Sequence, residues 1–347
     1  MIYNMKRIVG LDYLRVYTVL VVFLFHSWMH LGCSFGKLTS FVSEGAVYMT
    51  LFFMMSGYVL GLKYKEIPIE KTPLLKFYKK RLISILPLYV VCVVLYPPIF
   101  GEETWLQNLL ILPIELLCLQ STFSLLMPVS HNGGTWFVSC IIFCYLLFPL
   151  ATLLLKSISK RYVWIVVSIM YLVLVISPWI VFVFHGEQIY SNSFFRFLEF
   201  SIGVVLAVNA ESIQNKNRWL NNKISILTSY VMVIVVVMML LKMQIPHVTY
   251  MSYSAVLIPF FAWQLLAYST KSRLTDNKML KYCADISYAF FLMQLFVFKL
   301  TKNISQYFQL TNIYILFLIS FLLCFCLASL GHRYVERPLA NRTRKNI

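Results

Sequence analysis

The chain has 347 residues, of which 60% are hydrophobic and only 12% charged, and it carries a net charge of +17 from 30 Lys and Arg against 13 Asp and Glu. A soluble domain is about 45–50% apolar and about 25% charged, so this composition excludes a soluble enzyme, a disordered chain and a disulfide scaffold. A membrane span uses about 20 apolar residues, which leaves room for about ten spans and little else.

Ten apolar stretches read as helices in chain order: 10–31, 44–63, 82–100, 136–155, 162–184, 194–210, 224–241, 250–269, 284–301 and 313–331. The sixth is short. A further apolar stretch, Trp105 to Met127, is broken by Pro113 and carries Glu115 and Gln120. It reads as a re-entrant or interfacial hairpin near 105–127, since polar groups are costly in lipid. The expected fold class is an all-α integral membrane protein, a bundle of about ten transmembrane helices. The expected organisation is a single transmembrane domain over 1–347, with no separate soluble domain.

The loops alternate in charge. One set carries Lys6 and Arg7, then Lys63, Lys65, Lys71, Lys76, Lys79, Lys80 and Arg81, then Lys156, Lys160 and Arg161. It continues with Lys216, Arg218 and Lys223, with Lys271, Arg273, Lys278 and Lys281, and with Arg333, Arg337, Arg342, Arg344 and Lys345. The other set has only Lys37, Lys242, Lys299 and Lys302, and the stretch from Phe100 to Thr135 has neither Lys nor Arg. Cytoplasmic loops retain Lys and Arg, so both termini are expected in the cytoplasm. The basic excess then reports topology, and no nucleic-acid partner is expected. The first helix is long and no small-residue cleavage site follows it, so no signal peptide is read.

Of the eight cysteines, Cys92, Cys140, Cys144, Cys324 and Cys326 fall inside apolar stretches, where Cys acts as a small apolar residue. Cys140 and Cys144 share a helix face without a neighbouring His or acid, so no metal site is expected. Cys33 and Cys118 fall on the same side, which leaves a disulfide between them open. No phosphate-binding loop, nucleotide fingerprint or internal repeat stands out.

Ionisable residues inside a span are costly and point to function or to pairing. Arg15 and His26 lie eleven residues apart in the first helix. Eleven residues turn the helix by about 1100°, three turns and about 20°, so both side chains share one face about 16 Å apart along the axis. Imidazole is a general base near neutral pH; the alternative is a snorkelling Arg and a bundle-bound His. His30 sits one turn beyond His26, nearer the interface. The basic cluster of FYKKRLISILPLY, with Lys80 and Arg81, suits phosphate or lipid headgroups as well as simple topological retention. Arg196 and Glu199, three apart in FFRFLEFSIG, can pair on one helix face. Glu336 stands among Arg333, Arg337 and Arg342. Ser56-Gly57 and the Trp136–Ser139 helix start suit helix packing.

These segments occur together in an order that resembles the membrane-bound acyltransferase family 3, whose members transfer acyl groups to sugars of surface glycans. LDYLRVYTVLVVFLFH is similar to the family's first helix, with its basic residue, ten intervening residues and His. FFMMSGYVLG, FYKKRLISILPLY, TWFVSCIIFCYLLFPL, RFLEFSIGVVLA, DISYAFFLMQLFVF and RYVERP resemble later family segments in chain order, covering nearly the full length. The chain departs from the pattern at three places. Ser84 stands where many members have a second Arg, Ile141 and Ile142 where many have acids, and Gln294 where many have a His. No extracytoplasmic hydrolase-like domain is read after the last helix.

The resemblance implies an O-acyltransferase that moves an acyl group, by default acetyl, from cytoplasmic acyl-CoA to a glycan or lipid-linked sugar hydroxyl on the far side. Its place would be the inner membrane of a bacterium. It implies His26 as general base, with Arg15, Arg81 and Lys80 on the CoA phosphates. No permanently bound cofactor is expected; acyl-CoA is a substrate. Ser56, Trp136 and Tyr288 stand as oxyanion donors, and Arg196, Glu199 and Glu336 as further candidates. Two other readings remain. One is a transporter or flippase of a glycan or lipid-linked sugar, which the buried Arg196 and Glu199 would suit. The other is a catalytically silent relative acting through interactions.

Overall fold

The computed structural model describes residues 7–64, 71–101, 104–122, 130–184, 189–246, 250–270 and 274–345. Lys6, Lys65, Lys271, Arg273 and residues 123–127 of the expected hairpin lie outside the described residues. Among the described residues there is no strand. Among those residues ten helices are long and apolar enough to cross a membrane. They are α1 (Val9–Leu31), α2 (Tyr48–Lys63), α3 (Lys71–Phe100), α5 (Trp136–Ser157), α6 (Lys160–Val183), α7 (Ser193–Lys216), α8 (Lys223–Lys242), α9 (Met251–Ser269), α10 (Lys278–Phe308) and α11 (Ile313–Gly331). Between α3 and α5 lies the shorter α4 (Trp105–Leu116).

Three helices outrun the apolar stretches that announce them. α3 begins at Lys71, so the basic cluster rides on its first turns instead of preceding it. Lys and Arg are good helix formers, so the helix carries the cluster without an apolar pattern. α7 continues to Lys216 through Glu211 and Gln214, which makes the short sixth span a full helix of 24 residues. α10 starts with an Asn277 cap that accepts from the Leu280 amide, and runs 31 residues to Phe308.

α4 has 12 residues, about 18 Å of helix, too short for a hydrocarbon core of about 30 Å. Its start is fixed by a capping box between Thr104 and Gln107. Its end is anchored inside the protein. Glu115 is fully buried and accepts from the His131 backbone amide (3.0 Å) and pairs with His131 Nδ1 (2.6 Å). Burial pushes the Glu115 carboxyl above its ordinary range, and His131 opposes that rise. Cys118 then takes a left-handed φ of 56°, and Gln120 Nε2 donates to the Tyr89 hydroxyl. These contacts fix the end of α4 against α3 and the start of α5.

α2, α7 and α9 are mostly buried, while α6, α8 and α11 leave most of their apolar side chains uncovered, as lipid-facing helices do. The tightest approach joins α2 and α7. A Cβ on Gly57 would lie 1.9 Å from the Phe200 carbonyl oxygen, and one on Gly203 would lie 2.0 Å from that of Met54. Only glycine allows this backbone contact, the usual role of small residues between membrane helices. The glycines of FFMMSGYVLG and RFLEFSIGVVLA thus serve packing, and they bring Ser56 and Arg196 to fixed depths. All eight cysteines are free thiols.

Candidate active site

α1, α2, α3, α5 and α10 enclose a cavity of about 300 Å³. Arg15, Ser56, Arg81, Ser84, Tyr145, Asp285 and Tyr288 supply its polar wall; Phe52, Phe137, Ile141 and Phe291 are among its apolar lining. Arg15 stands about two turns into α1 and faces Asp12 at 3.8 Å. Asp12 also bonds Arg7, which reaches Asp276 at 3.0 Å. This chain of charges ties the α1 start to the segment before α10. Arg81 lies over the Tyr64 ring, 5.4 Å from its centroid, and donates to the Tyr64 hydroxyl at 3.1 Å. Its Nε is buried and has no hydrogen-bond partner among the described residues. Such a donor costs stability unless a ligand acceptor satisfies it. Two guanidiniums from separate helices thus meet in one cavity with one carboxylate, Asp285, at its rim.

Three rings of the lining form a cluster. Phe52, Phe137 and Phe291 touch one another with centroids 5.0 to 6.1 Å apart. His26, on α1, is not part of the cavity lining. On α10, Gln294 is three residues beyond Phe291, about 4.5 Å further along the axis. Its Oε1 is 2.6 Å from His26 Nδ1. Gln294 is fully buried, and its Nε2 donates to the Val19 carbonyl at 3.4 Å. That bond orients the amide, and its oxygen can only accept, so with Oε1 facing it Nδ1 of His26 carries the proton. Nε2 is left as the lone-pair nitrogen, the form a general base requires. His30, one turn on, is exposed and stacks on Phe298.

The remaining candidates separate into distinct places. Lys80 is half-buried next to Arg81 but does not line the cavity. Ser56 lines it and makes no hydrogen bond among the described residues, whereas the Tyr288 hydroxyl donates to the Ile85 carbonyl at 3.0 Å. Trp136 sits elsewhere, in a cage around Arg196 built with Tyr190 and Phe53. Arg196 and Glu199 are both fully buried and pair at 2.8 Å. Thr50 donates to Glu199 Oε1 at 2.8 Å, and Arg196 Nε donates to the Tyr190 carbonyl at 2.7 Å. Neither charge lines the cavity. Glu336 does not line this cavity and pairs with His332 at 2.7 Å.

Tyr145, Asp285 and the contact between Gln294 and His26 escaped the sequence reading. Asp285 opens the DISY segment, which was its only signal. Ser84 and Ile141, where the chain departs from the family pattern, both line the cavity. A family model described as an acyltransferase domain matches residues 8–330. No curated protein and no solved structure matches the chain.

Proposed function

The chain belongs to acyltransferase family 3, and from that premise we propose that this multi-pass membrane acyltransferase moves an acyl group, acetyl by default, from cytoplasmic acyl-CoA to a sugar hydroxyl on the opposite face. The acceptor is a surface glycan or its lipid-linked precursor. The Lys- and Arg-rich loops favour cytoplasmic termini, and in this reading the Arg15–Arg81 cavity faces the CoA pool, in a bacterial inner membrane. The observation that carries the reading is that cavity itself: two guanidiniums from different helices, one with a buried N–H that has no partner among the described residues, beside apolar lining that includes Phe291, three residues before the Gln294 that holds His26.

In this reading Arg15 and Arg81 hold the CoA diphosphate, with Lys80 adding long-range attraction. The pantetheine arm, about as long as the roughly 16 Å between Arg15 and His26, displaces the three phenylalanine rings. His26 Nε2 takes the proton of the acceptor hydroxyl as its oxygen attacks the thioester carbonyl. The tetrahedral intermediate collapses, the C–S bond breaks, and the imidazolium returns the proton to the CoA sulfur. A general base of this kind contributes about 10²–10⁴-fold. Of the three oxyanion donors considered, Ser56 has the uncommitted hydroxyl. The transport alternative rested on Arg196 and Glu199, which are closed on each other and away from the cavity.

The test is equilibrium binding of acetyl-CoA to the purified protein in detergent, wild type against Arg81→Ala. Binding that weakens about tenfold or more in the variant supports the donor assignment, at about 1.5–3 kcal/mol for a charged hydrogen bond. A wild type that does not bind acetyl-CoA would remove it.

A further inference from the structure

A second cavity, of about 820 Å³, adjoins the first, and Ser84 and Asp285 line both. Its other walls come from the start of α10 and from the segment after α11. There the helix widens into a π-turn, His332–Glu336, before a final helix α12 (Arg337–Lys345). Pro338 explains the widening. It has no N–H to offer the Tyr334 carbonyl, and its ring crowds that carbonyl outward. Such π-turns gather at functional sites. Here the turn presents Arg333, Glu336 and Arg337 to the cavity, opposite Lys281 and Tyr282 of α10.

Three features of this wall point to one kind of ligand. Lys281, Arg333 and Arg337 are exposed cations that form no ion pair among the described residues. Against them stand two carboxylates, Asp285 and Glu336. Glu336 Oε2 is engaged by His332 Nδ1, but Glu336 Oε1 is buried and has no hydrogen-bond partner among the described residues. A bare phosphate would satisfy the cations and leave that acceptor empty. A phosphorylated nucleoside brings both a phosphate and the O–H and N–H donors that a carboxylate accepts. Tyr282, which is exposed on the same wall, offers a ring face for a base.

We infer that the second cavity binds the 3′-phosphoadenosine end of the acyl-CoA donor. Lys281, Arg333 and Arg337 hold the 3′-phosphate, Glu336 Oε1 accepts from the ribose or adenine, and the base lies on Tyr282. The inference rests on the acyl-CoA reading above. It divides the donor between the two cavities: the nucleoside in the second, the diphosphate at Arg15 and Arg81, and the pantetheine arm beyond. The C-terminal RYVERP segment thereby acquires a role in recognition.

The experiment compares acetyl-CoA with acetyl-3′-dephospho-CoA as donors for the wild type and for an Arg333→Ala/Arg337→Ala variant, in proteoliposomes carrying the host's lipid-linked sugars. The readout is the ratio of the two KM values within each preparation, which does not depend on how much protein is folded. The wild type is expected to favour acetyl-CoA by about tenfold, the weight of one partly exposed charge-assisted phosphate contact. In the variant the ratio falls to about one, through a higher KM for acetyl-CoA. A wild-type ratio near one, or an unchanged ratio in the variant, overturns the nucleoside assignment and leaves the acyl-CoA reading standing. Transfer from neither donor by the wild type overturns the acyl-CoA reading itself.

Discussion

Replacing Glu199 by Gln separates a structural charge pair from a catalytic one. In the native protein Glu199 neutralises Arg196 at 2.8 Å with both partners fully buried. The change keeps an oxygen acceptor for Thr50 but strands the Arg196 guanidinium as an uncompensated buried charge. Arg196 retains the Tyr190 carbonyl and the faces of Tyr190, Trp136 and Phe53, which soften the loss but do not neutralise it. Breaking a buried pair in this way costs about 3–5 kcal/mol, a fall in Tm on the order of 10 °C. Replacing both partners with apolar residues, Arg196→Met with Glu199→Leu, removes the stranded charge and recovers most of the loss. Thermal unfolding in detergent reads both variants, with acyl transfer per folded protein measured alongside. The structural account expects Glu199→Gln to lose stability while its folded fraction remains active. A Glu199→Gln protein that melts like the wild type and transfers nothing would refute it and return the pair to the reaction.

Two further outcomes follow from the geometry. Glu44, just before the second span, is buried, and one of its carboxylate oxygens has no partner; burial pushes its pKa up to about 7 from the ordinary 4.5. A carboxyl raised by folding favours the folded state while protonated, so its contribution is complete below about 4.5 and is lost as pH rises through about 7, by at most roughly 3 kcal/mol. Glu44→Gln should flatten the melting temperature between pH 4 and 8, and a retained slope would assign it to another group. Gln294→Leu removes the acceptor that holds the His26 tautomer; kcat should fall about tenfold, the value of one hydrogen bond, with the KM for acetyl-CoA unchanged. An unaltered kcat would mean that His26 needs no such orientation.

The spans were legible because lipid demands long apolar helices, and that demand leaves a continuous signal in the chain. Their ends were not. The basic first turns of α3 and the α7 end at Lys216 rest on helix propensity, where no apolar pattern marks them. The pairing of Arg196 with Glu199 was readable from a spacing of three. The cavity was only half readable, because Arg15, Arg81 and Asp285 converge from helices far apart in sequence. Gln294 shows the limit most clearly. It stood out only as a departure from the family pattern, yet it lies 268 residues from His26 and within hydrogen-bond distance of it. Ser84 and Ile141 replace, in the pattern, a base and an acid respectively. Both line one cavity, whereas Ile142, the second of the two acid positions, does not.

The central claim is that His26 removes the acceptor's proton in a transfer from acyl-CoA to a sugar. Mass spectrometry of the host's surface glycans and lipid-linked precursors tests it most directly. The comparison is between the intact strain, a deletion, and the deletion complemented by wild type or by His26→Ala at matched membrane abundance. The account predicts that the deletion loses one acyl mass per glycan repeat, that the wild type restores it and that His26→Ala does not. Full acylation by His26→Ala would contradict the assigned base, and an unchanged acyl pattern in the deletion would contradict the acceptor.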